Sequence, residues 1–65
     1  MIAKKTVEQY EAVRKSGITN MYDYYAVMRA AEWMKFSSLA SLSSKKYMEL
    51  LRNFGKLMKK YNIKQ

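Results

Sequence analysis

Proline is absent from this chain, and glycine occurs only at Gly17 and Gly55. Folds built on many tight β turns need those residues, because they supply the fixed or positive φ angles that reverse a chain. Apolar side chains instead recur at three- and four-residue intervals, the period of a helix. The expected fold class is therefore all-α: one compact three-helix domain over residues 1–65, with either a short fourth helical turn or a loop pinned by Leu39 and Leu42 in a serine-rich segment.

Local punctuation places the helices. Thr6 reads as an N-cap with Gln9 closing a capping box, so a first helix is expected from Val7 to Lys15. Val7, Tyr10 and Val13 form a narrow apolar stripe on it. Gly17 is placed as its left-handed terminator, with Ile18 folding back on Val13 in a Schellman arrangement. Thr19 or Asn20 is then expected to cap a second helix from Met21 to Lys35, with Asp23 in its first turn facing the positive end of the dipole. Tyr24, Val27, Ala31 and Met34 cluster on one face of this helix. Its opposite face carries Arg29 and Glu32 among Tyr22, Tyr25, Trp33 and Phe36, so the helix is apolar nearly all round and asks for cover on two sides.

Residues 37–44 hold five serines with Leu39 and Leu42 among them. Serine competes for backbone hydrogen bonds, so a break is expected there. Ser43 or Ser44 is placed as the cap of a third helix, Lys45 to Tyr61. Tyr47, Leu50, Phe54, Leu57 and Tyr61 give it the clearest apolar stripe in the chain. Gly55 stands mid-helix, where it is expected to admit another helix, kink the rod or end it.

Thirteen Lys and Arg against five Asp and Glu give a formal charge of +8. Such a balance suits an acidic or polyanionic partner. Cysteine and histidine are both absent, which removes disulfides, the best thiol nucleophile and the commonest general base. Glu8 and Glu11 are placed on a shared solvated face of the first helix, with nothing to perturb them. No enzyme activity, cofactor or metal is expected. No apolar run approaches the ~18 residues that span a bilayer, and the start of the chain does not resemble a signal peptide. A soluble, intracellular protein is the expectation, without membrane attachment.

Two surfaces are candidates for function. Tyr22, Tyr25, Arg29, Trp33 and Phe36 have the composition of a protein-binding hot spot. Their expected partner is another protein, and a homodimer seam is a second use. The runner-up is nucleic acid, bound through Lys45, Arg52, Lys56, Lys59 and Lys60 on the outer side of the third helix. Part of this segment, SLASLSSKKYMELL, has the flavour of a helix-turn-helix. Neither Ala31 nor Ala40 sets that motif's spacing correctly, so it is not expected.

The run VRKSGITNMYD, residues 13–23, resembles a family of small phage and prophage proteins of unknown function. Its similar elements are Arg14, Ser16-Gly17, Thr19-Asn20-Met21, aromatic Tyr22 and Asp23. The likeness continues more weakly through Val27, Ala31, Phe36, Leu39 and KYMELL, and this chain extends past Gly55 with the basic run KLMKKYNIKQ. The signature also reads as a helix stop, a hinge and a helix start. What the resemblance implies is a phage-encoded, non-enzymatic protein in the cytoplasm of a bacterial host, with a host or phage protein as its partner, that inhibits or redirects a host protein. An anti-defence factor of the anti-CRISPR kind is the version expected from that class.

Overall fold

A computed structural model of the chain describes residues 2–63. Four helices follow one another: α1 (Lys4–Ser16), α2 (Tyr24–Trp33), α3 (Ser37–Ala40) and α4 (Ser44–Lys60). The radius of gyration is 10.5 Å, close to the ~11 Å of a chain this long packed as one globule.

Helix α1 is central and packs against α2, α3 and α4. It starts at Lys4, earlier than the capping box predicts, and its N-cap, Ala3, makes no side-chain bond. Thr6 and Gln9 are instead buried. The Gln9 Oε1 accepts the backbone N–H of Leu39 at 2.9 Å. That N–H is one of the unpaired donors at the start of α3, whose own N-cap, Phe36, supplies no side-chain bond. Gln9 therefore caps a helix thirty positions away rather than its own. With Thr6, Val7, Gln9, Tyr10, Glu11 and Val13 all buried, the expected narrow stripe is in fact a broad face that takes six of the helix's thirteen residues. Glu8 is exposed, but Glu11 is buried. The Glu11 carboxylate holds the Arg14 guanidinium at 2.8 Å, with the Lys15 ammonium at 4.0 Å, so the two acids do not share a solvated face.

The corner between α1 and α2 is built by the residues of the signature. Gly17 terminates α1 with φ +66°, as expected, but Ile18 is about half exposed and does not fold back. Ser16 Oγ donates to the Val13 carbonyl at 2.6 Å and accepts the Ile18 N–H at 3.4 Å. The hydroxyl thus relays the bond that a Schellman turn makes directly. Asn20 Oδ1 accepts the Tyr22 N–H at 2.9 Å, an Asx turn. Asp23, rather than Thr19 or Asn20, caps α2 by accepting the Ala26 N–H at 3.2 Å.

True Schellman turns occur at the other two long helices. The Phe36 N–H donates to Ala31 O at 2.8 Å and the Lys35 N–H to Glu32 O at 3.1 Å, with Lys35 at φ +62°. At the end of α4, Ile63 donates to Met58 O and Asn62 to Lys59 O, with Asn62 at φ +55°. Lys35 has no glycine-like freedom, so its left-handed turn is strained. The turn carries Phe36 inward against the core.

Helix α4 is capped by Ser43, whose hydroxyl accepts the Lys46 N–H at 3.2 Å. It runs unbroken through Gly55. Space around a Cβ at that position is open, so no helix of this chain approaches there. Tyr47, Leu50 and Met58 are buried from α4, together with Val7, Tyr10 and Val13 from α1, Val27 and Ala31 from α2, and Leu39 from α3.

Candidate partner-binding surface

Three tyrosine hydroxyls tie the connecting segments to the core. Tyr24 donates to Leu42 O at 2.5 Å, Tyr47 to Met21 O at 2.6 Å and Tyr61 to Ile2 O at 2.6 Å. The Tyr47 ring centroid lies 5.9 Å from that of Tyr10 and 5.7 Å from that of Tyr24, and Phe54 packs on Tyr10 at 4.9 Å. Burial pushes the Tyr47 hydroxyl strongly upward in pKa, with the neighbouring Tyr10 adding to it. Tyr10 is raised chiefly by burial as well.

Other aromatic side chains have no such task. Tyr22, Tyr25 and Trp33 are 85%, 73% and 80% exposed. Tyr25, Arg29 and Trp33 stand at successive four-residue steps along α2, which aligns them in one ridge about 12 Å long. The cause lies in the helix's own pattern: Val27 and Ala31 are fully buried, so the residues half a turn away face solvent. The Tyr25 ring is held edge-on against Tyr24 at 5.2 Å, and Tyr24 is itself fixed by its bond to Leu42. Among the described residues Arg29 makes no ion pair. Tyr22 stands in the preceding turn, near enough to Tyr10 to contribute to its raised pKa.

The ridge therefore brings together Tyr25, Arg29 and Trp33, with Tyr22 before it. Phe36 does not belong to it. The positive-φ turn at Lys35 ends α2 at Trp33 and turns Phe36 into the partly buried set against the core. A shallow open depression lined by Glu32, Lys35, Ser37, Ala40 and Ser41 adjoins the Trp33 end of α2. Its apolar floor and two rim charges lacked a local signal, because the short helix α3 sits there through the cap from Gln9.

The basic residues on α4 are all exposed. Lys45, Arg52, Lys56 and Lys59 share one side, and Lys60 stands about 60° round the helix from their centre. Met48 is about half exposed beside them. Sequence reasoning missed it because methionine fits a core position equally well.

Among the described residues no helix is long and apolar enough to cross a membrane, and no three His, Cys, Asp or Glu side chains group as metal ligands. No curated protein and no solved structure matches the chain. A family model described as a domain of unknown function, DUF5049, matches residues 2–54. That segment contains α1, α2, α3 and the first two thirds of α4, including the whole ridge, and stops short of Lys56, Lys59 and Lys60. The chain belongs to the DUF5049 family of domains of unknown function.

Proposed function

We propose that this chain is a non-catalytic binding protein that docks the α2 ridge onto an acidic patch of another protein. One observation carries the reading: Tyr25, Arg29 and Trp33 are aligned and exposed, and burial in the fold does not account for them. Trp, Tyr and Arg dominate interface hot spots because each couples large apolar area to a hydrogen-bonding tip. The ridge is also prepared in advance, since Tyr25 rests on a tethered Tyr24, and pre-ordering lowers the entropic cost of docking. Charge complementarity selects the partner's chemistry. An unpaired Arg29 on a +8 chain favours a surface rich in Asp and Glu.

The carboxylates support a non-catalytic role. Glu11 is engaged by Arg14 and Asp23 by the start of α2, which leaves them poor candidates for proton transfer. The likeness of residues 13–23 to small phage proteins supports a phage-encoded origin. It also supports action on a host protein in the bacterial cytoplasm, with anti-defence inhibition as the sharper version. Self-association through the same ridge is a competing use that a mass measurement separates.

Recovery from host lysate tests the reading. One acidic partner is expected with the unaltered chain, and it is expected to be lost with Tyr25→Ala/Trp33→Ala. Equal recovery by both chains overturns the assignment. Trp33 is the only tryptophan, so a blue shift of its emission on adding the partner reports contact at the ridge itself.

A further inference from the structure

We propose that the outer face of α4 binds the phosphate backbone of nucleic acid, with Gly55 as the point of closest approach. Lys45, Arg52, Lys56 and Lys59 form a row of about 21 Å along a straight helix. All four are exposed, and among the described residues none makes an ion pair. One acid, Glu49, lies on this side, and its nearest cation is Lys46 at 4.0 Å. Four free cations in line neutralise up to about four phosphates.

Gly55 is the second observation. Its φ is not positive, so its backbone does not require glycine. A Cβ there would meet nothing within 4 Å, so packing inside the chain does not require it either. Glycine in an exposed helix is nonetheless costly relative to alanine. Its neighbours on the helix surface, three and four residues away, are Arg52 and Lys59 on the outer side and Leu51 and Met58 on the core side, so it lies at the edge of the row. The missing side chain leaves a notch between two cations, through which a phosphodiester strand can reach the helix backbone.

The same face suits other anions less well. A lipid surface needs an apolar side to insert, but Tyr47, Leu50, Phe54, Leu57, Met58 and Tyr61 are all turned to the core. An acidic protein needs a desolvated anchor among the charges, and the row offers only half-exposed Met48 at its edge. A phosphate backbone needs neither.

The test is an anisotropy titration of the full chain against a labelled mixed-sequence DNA duplex, from about 50 to 200 mM salt. Affinity is expected to fall about a hundredfold over that range, with a log–log slope of about −3.6. Arg52→Gln, Lys56→Gln and Lys59→Gln are each expected to flatten the slope by about 0.9. Gly55→Ala is expected to raise the melting temperature yet weaken binding several-fold, a pairing that general loss of structure cannot produce. Trp33→Ala is expected to bind duplex like the unaltered chain, which keeps this surface separate from the ridge. A slope indifferent to the three charge removals overturns the proposal. So does full affinity in Gly55→Ala, loss of DNA binding in Trp33→Ala, or binding to anionic vesicles in preference to duplex.

Discussion

Tyr47 and Trp33 are both large aromatic residues on helices, yet their surroundings are opposite. Tyr47 is fully buried, its ring packed at a tilt between Tyr10 and Tyr24, and its hydroxyl holds the carbonyl of Met21 across the α1–α2 corner. Trp33 is 80% exposed and lies on a ridge whose other members are also free. The contrast separates two reasons for keeping an aromatic side chain in so small a protein. The Tyr47 cluster substitutes for the disulfides this chain lacks, tying loops to helices with hydrogen bonds from rigid rings. The ridge adds nothing to that work. It keeps apolar area in water, which is unfavourable unless something covers it.

The comparison breaks most visibly at Tyr47. Tyr47→Ala is expected to cost about 3–5 kcal/mol. A chain of 65 residues has only about 3–10 kcal/mol in total. Loss of the cooperative thermal transition, or a fall in its midpoint of more than about 12 °C, is the expected result. A midpoint within a few degrees of the unaltered chain would break the assignment of Tyr47 to the core scaffold.

Gln9→Ala comes next, at about 1–3 kcal/mol, because it leaves the buried Leu39 N–H without an acceptor. Urea unfolding is expected to show a lower midpoint with an unchanged slope. Faster hydrogen exchange at Leu39 would locate the loss at α3 rather than at α1.

Alkaline pH sharpens the same contrast. Tyr10 and Tyr47 have folded pKa values raised above the ordinary 10.0, so the unfolded chain releases their protons first. Stability from these groups is therefore complete below pH 10 and declines as pH rises above it. The informative quantity is the difference between the unaltered chain and a variant that lacks the Tyr47 hydroxyl. Tyr47→Phe is expected to start less stable by about 1 kcal/mol, from the lost hydrogen bond, and to lose less stability between pH 9 and pH 11. Parallel melting curves for the two chains across that interval contradict it.

Lys35→Gly is expected to stabilise the fold by about 1 kcal/mol, since glycine adopts the left-handed turn without strain. An increase in melting temperature of about 4–8 °C checks this.

These substitutions also show what the sequence could and could not reveal. Helix α4 was legible because its apolar stripe and its serine cap agree, and both are local. The Ser16-Gly17 stop and the Asp23 acid were legible for the same reason, although the serine relay and the choice of Asp23 as cap depended on the geometry of the corner. The start of α1 was misread because Thr6 and Gln9 fit a local capping box, while in the fold Thr6 is buried and Gln9 bonds α3. No window of sequence contains both Gln9 and Leu39. Phe36 was misplaced because a helical wheel assumes the helix continues, and lysine gives no warning of a positive φ. On the candidate site, Tyr25, Arg29 and Trp33 were legible because exposure on α2 follows directly from the burial of Val27 and Ala31 opposite; Tyr22 lies in the turn before the helix, where that pattern does not reach. Gly55 gave the least away, since a glycine's role depends on what approaches it.

The smallest effect on stability is expected at the ridge, and it is the most direct test of the whole assignment. Tyr25→Ala/Trp33→Ala should be melted and presented to host lysate in parallel with the unaltered chain. A midpoint unchanged within about 0.5 kcal/mol of stability, together with loss of the partner, is the expected result. A collapse of the fold would place the ridge with the scaffold, and full recovery of the partner would leave it without a function; either contradicts the division between Tyr47 and Trp33.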